Sequence, residues 1–194
     1  MNEFYFEIPE IKISKALKNL HNTTNDHSWN NYGSRLFDRS FIPGANPTPV
    51  HKVYMQFKNI DLLGRASLLL VKPGGVVEPH IDAFRQGAIN IPLSENWKKS
   101  YTVFYKAQGW RRLYKKPNIY FEKGKPPVLN PGGAYPLAKE VTRLQYNKAV
   151  CINTAKIHGV INESDEDRYV LSISIRVPHT FEELRQAYQS GKLI

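Results

Sequence analysis

The stretch Arg168-Tyr169-Val170-Leu171-Ser172-Ile173-Ser174-Ile175 decides how this chain is read. It is rich in β-branched and aromatic types, and a strand has a side-chain period of two. Residues 168, 170, 172 and 174 therefore share one face. Short runs of similar character lie at 53–58, 66–72, 88–93, 101–106, 118–121, 142–146, 149–153 and 169–177. Turn clusters separate them, among them Pro73-Gly74-Gly75, residues 123–127 and Asn130-Pro131-Gly132-Gly133. Many short strands with such spacers predict an all-β sandwich, barrel or jelly roll, not alternating βα units.

Two helices are expected outside the strand run. One covers residues 11–21, with Ile13, Ala16, Leu17 and Leu20 on one face. The other follows Pro178, where Thr180 and Glu183 form a capping box. Both are expected to pack on the outside of the sheets. Residues 22–50 are polar and rich in Asn and Pro, and read as a loop across the barrel mouth. No internal repeat or linker is visible, so the 194 residues read as one domain.

Charge is the extreme feature of the composition. The chain carries a net +10. All of it sits in residues 98–148, which hold 12 basic and two acidic residues. The same segment holds nine aromatics, among them Tyr101, Phe104, Tyr105, Trp110, Tyr114, Tyr120 and Phe121. A basic, aromatic surface favours anionic partners, such as nucleic acid, acidic protein or a carboxylate substrate. A solvated basic face that keeps the protein soluble is the plainer alternative. No apolar run reaches the ~20 residues of a membrane helix, and the start MNEFYFEIPEIK lacks a signal-peptide pattern. Cys151 is the sole cysteine, which excludes an internal disulfide and a thiolate zinc site. A cytoplasmic location is expected.

The chemistry is carried by histidines. His80 and Asp82 stand in Glu78-Pro79-His80-Ile81-Asp82, just after the Pro-Gly-Gly turn. In extended backbone both point to one face and could grip one ion. His158 follows in Ile157-His158-Gly159. Two imidazoles and one carboxylate on one side of an ion form the facial triad of non-haem Fe(II) oxygenases. The His-x-Asp pair alone is a weak signal, since chance supplies about 0.2 such pairs in a chain of this composition. Arg168 strengthens it. If its face looks into a barrel, it is a buried cation in want of an anion. A dicarboxylate forked by the guanidinium would satisfy it. The alternative is an Arg paired with Asp165, Glu166 or Asp167 in the preceding turn.

His80-x-Asp82, then His158, then Arg168 ten residues on, resembles the Fe(II)/2-oxoglutarate-dependent oxygenases. The segments 66–93 and 149–185 are similar to the proximal and distal halves of their core. The tail Val177-Pro178-His179-Thr180-Phe181-Glu182-Glu183-Leu184 is similar to the aspartyl/asparaginyl β-hydroxylase branch, and amino-acid and prolyl hydroxylases also fit. One departure is that the aspartyl branch often lacks the carboxylate ligand present here as Asp82. The resemblance implies an all-β core with flanking helices, folded as a double-stranded β-helix (a jelly-roll, cupin-like barrel). It implies Fe(II) on His80, Asp82 and His158. It implies 2-oxoglutarate on Arg168, with Asn90, Ser172 and Ser174 as further contacts. Arg85 and Arg176 become candidates for a substrate anion. The implied reaction consumes O2 and 2-oxoglutarate, releases succinate and CO2, and hydroxylates an unactivated C–H bond of an amino acid or peptidyl side chain. Two other readings are kept: an oxygenase acting on nucleic acid through residues 98–148, and a non-catalytic metal-binding jelly roll that binds polyanions. No general base is needed, so His21, His27, His51 and His179 are expected to be structural or surface residues.

Overall fold

The computed structural model describes residues 2–23, 32–37, 47–82, 85–108 and 138–194. Their elements are, in order, β1 (Tyr5–Glu7), α1 (Lys15–Lys18) running into a 3-10 turn (Asn19–Thr23), β2 (Tyr32–Phe37), α2 (Pro49–Tyr54), β3 (Leu63–Val71), β4 (Val76–His80), β5 (Ala88–Pro92), β6 (Ser100–Ala107), β7 (Ala138–Leu144), β8 (Val150–Ile152), β9 (His158–Asn162), β10 (Arg168–Ile175) and α3 (Phe181–Gln189). The strands form two sheets, ordered β1-β8-β5-β10-β3-β2 and β4-β9-β6-β7. Every paired ladder is antiparallel. This is the expected all-β jelly-roll barrel with flanking helices.

The alternation in β10 divides the core in two. Leu171, Ile173 and Ile175 face outward, into a cluster with Leu17, Val50, Val53, Tyr54, Phe181 and Leu184 from the three helices. Its opposite face looks inward, where Ala88, Phe104, Leu144, Tyr146, Val150 and Ile152 make a second cluster. Phe4 and Tyr5 close that inner cluster from the N-terminal segment. The helices thus cover the outer face of the six-stranded sheet and leave the barrel interior to the site.

Several expectations are corrected. Residues 53–58 are not a strand. Thr48 caps α2 by accepting from the His51 N–H, and Pro49 sets its first turn. Val50, Val53 and Tyr54 then share one buried helical face. The first helix is one turn of α-helix after the Ser14 cap, and Ala16 is exposed while Leu17 and Leu20 are buried. Within residues 22–50, β2 adds an edge strand to β3 through backbone pairing. The expected capping box at Thr180 and Glu183 is present, with both reciprocal hydrogen bonds made. Residues 118–121 lie outside the described residues, as do most of the basic segment, Trp110, Tyr114, Tyr120, Phe121 and His27. Its described flanks carry exposed Lys98, Lys99, Lys106, Lys139 and Arg143. No helix among the described residues is long and apolar enough to cross a membrane.

Below the site, Asn162 secures the turn that leads to Arg168. It is fully buried, and its Nδ2 donates to the carbonyls of Val71 at 2.9 Å and Glu166 at 2.8 Å. Its Oδ1 accepts from the Ser164 hydroxyl at 2.7 Å.

Candidate metal centre

Two neighbouring strands bring the histidines together. The pairing of β4 with β9 sets His80 opposite His158. The β6 ladder sets Phe104 on the other side of His158. The β4 register shifts between Val77 and His80, where Pro79 can donate nothing to the ladder. Gly159 lets the strands approach at this level, because a Cβ there would stand 2.6 Å from the Val77 carbonyl oxygen. Asp82 lies just beyond β4. Its N–H donates to the Thr154 carbonyl at 3.1 Å, and the fully buried Thr154 hydroxyl donates to the Arg85 carbonyl at 2.8 Å. The loop after β4 is thereby fastened to the loop before β9.

The result is a three-donor set. One nitrogen each from His80 and His158 and one oxygen from Asp82 lie within 4.8 Å of one another. Asp82 Oδ1 stands 3.5 Å from His80 Nε2 and 3.9 Å from His158 Nε2. Each imidazole is turned by its other nitrogen. His80 Nδ1 donates to the Glu78 carbonyl at 2.7 Å, and His158 Nδ1 to the Lys156 carbonyl at 2.9 Å. A carbonyl can only accept, so the proton of each neutral ring belongs on Nδ1. Both Nε2 lone pairs then face the carboxylate, the tautomer and orientation a metal requires. Side-chain exposures of 12%, 14% and 5% for His80, Asp82 and His158 make this a largely dry cluster.

The protonation states suit a cation. Burial opposes the ionisation of Asp82, but the Arg85 guanidinium beside it holds its carboxyl well below the usual range. Burial pushes the His158 imidazole down to about 4, against the pull of Asp82. Both residues are thus in their ligating forms at neutral pH. Two imidazoles with one carboxylate, all pre-oriented, fit a divalent first-row metal with open coordination positions.

The lowered His158 value sets a pH dependence in the metal-free protein. The unfolded chain binds this proton near pH 6.5 and the folded chain only near 4. The unfolded state therefore holds more protons between those values, and stability falls as pH falls through that window. The ceiling of the effect is about 3 kcal/mol. The urea midpoint of the metal-free protein should drop between pH 7 and 4.5. In His158→Gln, which has no proton to gain, that drop should shrink. An equal drop in both proteins would remove the effect from His158.

Arg168 lies in the barrel as the alternation of β10 requires, 6% exposed. Its Nη2 donates to the Tyr146 hydroxyl at 2.8 Å and stands 3.4 Å from the Thr102 hydroxyl. Its guanidinium lies 5.7 Å from the Tyr146 ring centroid. The preceding turn does not neutralise it: Asp167 pairs with Lys72 at 2.9 Å and accepts from the Tyr169 hydroxyl. Among the described residues Arg168 has no acidic partner. Asn90 and Ser172 face each other across β5 and β10. Asn90 is 6% exposed and its Oδ1 has no hydrogen-bond partner. A buried cation without an anion and a buried amide oxygen without a partner both fit a polar ligand inside the barrel. Ser174, next on the same face, is half-buried.

The remaining candidates separate. Arg85 joins the cluster, donating from Nε to Asp82 Oδ2 at 2.5 Å and from Nη1 to Ser172 Oγ at 3.2 Å. Arg176 is not brought to it: it is exposed and faces Asp61 at 3.8 Å. His51 serves the start of α2 beside Thr48, and His179 stands 3.7 Å from Glu183 at the start of α3. Sequence reasoning missed Thr102, Tyr146 and Thr154. Tyr146 carried a usable signal, since it continues the inward alternation of Thr142 and Leu144. Thr154 carried none, because its role depends on where two loops meet.

No family model matches this sequence, and no curated protein matches it. Solved structures similar to it include a prolyl-4-hydroxylase from Pseudomonas putida, at 10% identity over 89% of this chain and 92% of that one, with a TM-score of 0.49. HygX from Streptomyces hygroscopicus, solved with nickel and 2-oxoglutarate bound, is similar at 14% identity over 91% and 84%, with a TM-score of 0.47. An oxalate decarboxylase from Lactobacillus farciminis is similar at 13% identity over 82% and 33%, with a TM-score of 0.41. The chain spans about a third of that decarboxylase, and 43% of a 2OG-Fe(II) oxygenase-family oxidoreductase from Burkholderia pseudomallei.

Proposed function

We propose that this chain is an Fe(II)- and 2-oxoglutarate-dependent oxygenase that hydroxylates a C–H bond of an amino acid or peptidyl side chain. The observation that carries the reading is a buried Arg168, without an acidic partner among the described residues, inside the barrel that holds the His80, Asp82 and His158 donor set. Their vertical spacing follows from the β6 register. Phe104 pairs with His158, and Thr102, two residues along β6, stands beside the Arg168 guanidinium. Two residues of strand are about 7 Å. A five-carbon dicarboxylate suits that interval, with its 2-oxo acid end among the donors and its far carboxylate on Arg168.

The chain's own groups then have distinct tasks. His80, Asp82 and His158 hold the metal on one face and leave the other face open. Arg168 and the Tyr146 hydroxyl fix the far carboxylate. Asn90, opposite Ser172 on the neighbouring strand, is a further contact for the cosubstrate, and either end of its amide can serve, since rotating the amide exchanges donor for acceptor. Phe4, Tyr5 and Phe104 form an aromatic wall beside His158, with ring centroids 5.0 Å apart for Phe4 and Phe104 and 6.5 Å for Phe104 and His158. That wall excludes water from one side of the site. The bound metal, with 2-oxoglutarate and O2, supplies the oxidising chemistry. The protein's part is to bind, orient and exclude.

The direct test supplies the purified chain with Fe(II), 2-oxoglutarate and a panel of free amino acids and peptides. Succinate released in step with a hydroxylated product is the expected result. Absence of 2-oxoglutarate binding to the metal-loaded protein would overturn the reading. RNA and DNA oligomers in the same panel decide between a peptidyl and a nucleic-acid substrate.

A further inference from the structure

Arg85 makes more contacts at this site than a charge partner needs. Its Nε donates to Asp82 Oδ2 at 2.5 Å, its Nη1 donates to Ser172 Oγ on β10, and its own carbonyl accepts from Thr154. The two oxygens of Asp82 thereby take separate partners. Oδ2 is committed to Arg85, while Oδ1 is the oxygen that faces the Nε2 atoms of His80 and His158.

We propose that Arg85 is a positioning residue that restricts Asp82 to a single metal-facing oxygen. This rests on the reading of His80, Asp82 and His158 as a metal site. A carboxylate left free to swing can close on a divalent ion through both oxygens and so fill a second coordination position. A charge-assisted hydrogen bond to one oxygen opposes that swing, and bonds of this kind are stronger than neutral ones. The second anchor, on Ser172, ties the guanidinium to the barrel wall, so that the carboxylate is fixed relative to β10 and not only to its own loop. Three donors on one face leave three positions open. A chelating 2-oxo acid would need two of these, so a position lost to Asp82 would leave none for a further reactant. Denticity at Asp82 therefore decides whether the site can hold its full set of reactants.

The test uses Mn(II) alone, with the metal-free full chain, and counts exchangeable waters on the bound ion by water-proton relaxation. The wild-type protein is expected to hold Mn(II) with three waters. In Arg85→Met, which keeps the apolar stem of the side chain and removes every donor, the inner-sphere relaxivity should fall by about a third as one water is lost. Arg85→Lys, which restores one charged donor, should return most of it, and so should methylguanidinium added to a smaller Arg85→Ala variant. The same water count in wild type and in Arg85→Met would overturn the proposal, including the case where Arg85 serves only a substrate anion. Failure of the wild-type chain to bind Mn(II) would instead overturn the metal reading beneath it. Should Arg85→Met not fold, Arg85→Ala measured without and with methylguanidinium carries the same decision: a water count that the additive does not change, and that equals the wild type's, overturns the proposal.

Discussion

His158→Ala should bind Mn(II) or Fe(II) more than 100-fold more weakly than the wild-type chain and should turn over no 2-oxoglutarate. Groups that only orient a metal ligand are worth roughly 10–100-fold in affinity, so loss of a ligand itself exceeds that. The substitution removes one of three donors and leaves His80 and Asp82, a pair joined by a 3.5 Å contact. It also leaves the Lys156 carbonyl without its imidazole donor. His158→Gln separates the two effects, because its amide can still donate while it offers no imidazole lone pair. Circular dichroism and urea unfolding should show both variants folded. A folded His158→Ala that binds Mn(II) as the wild type does would end the case for the donor set.

Removal of Arg168 should have an effect of opposite sign on stability and on ligand binding. A buried cation without an anion is a cost in the ligand-free protein. Arg168→Met replaces it with an apolar side chain of similar length, so the ligand-free variant should be as stable as the wild type or more so. Its 2-oxoglutarate affinity should fall by roughly 1.5–3 kcal/mol, the worth of a hydrogen bond to a charged group, which is about 10–150-fold. Mn(II) affinity should hold, since Arg168 contacts Thr102 and Tyr146 and none of the donors. Calorimetric titration of 2-oxoglutarate into the Mn(II)-loaded proteins, beside urea unfolding of the ligand-free ones, reads all three. If Arg168→Met is strongly destabilised while its 2-oxoglutarate affinity is unchanged, Arg168 is a structural residue.

The parts of the fold legible in the sequence are those whose side chains do the folding. β3, β5, β6, β8 and β10 bury apolar residues, and their runs of Leu, Ile and Val mark them. β10 announces both of its faces. What was hidden depends on backbone or on loops. β1 and β2 join the sheet by ladder hydrogen bonds at its edges, which need no apolar alternation. β4 and β9 contain Pro79 and Gly159, which weaken any strand signal, yet these are the strands that carry the histidines. Val53 and Tyr54 suit a strand as well as a helix, and only the Thr48-Pro49 start tips the balance. The donor set was legible because residues two apart in extended backbone share a face and because Arg168 required an anion. The work of Arg85 was not, since it depends on a contact with a serine 87 positions away.

The hidden edge strand β1 also bears on how the molecule comes to exist. Tyr5 pairs with Ile152, 147 positions on, and His80 pairs with His158, 78 positions on. Ordering such distant partners costs chain entropy before any contact rewards it, which places barrels of this kind among slow folders, on the scale of milliseconds to seconds. A metal ion offers little help early, because the half-formed chain has no place where both imidazoles and the carboxylate meet. Its influence would fall on the return journey: an ion held by His80, Asp82 and His158 would have to be released before β4 and β9 part, so metal should lengthen the lifetime of the folded protein far more than it hastens its birth.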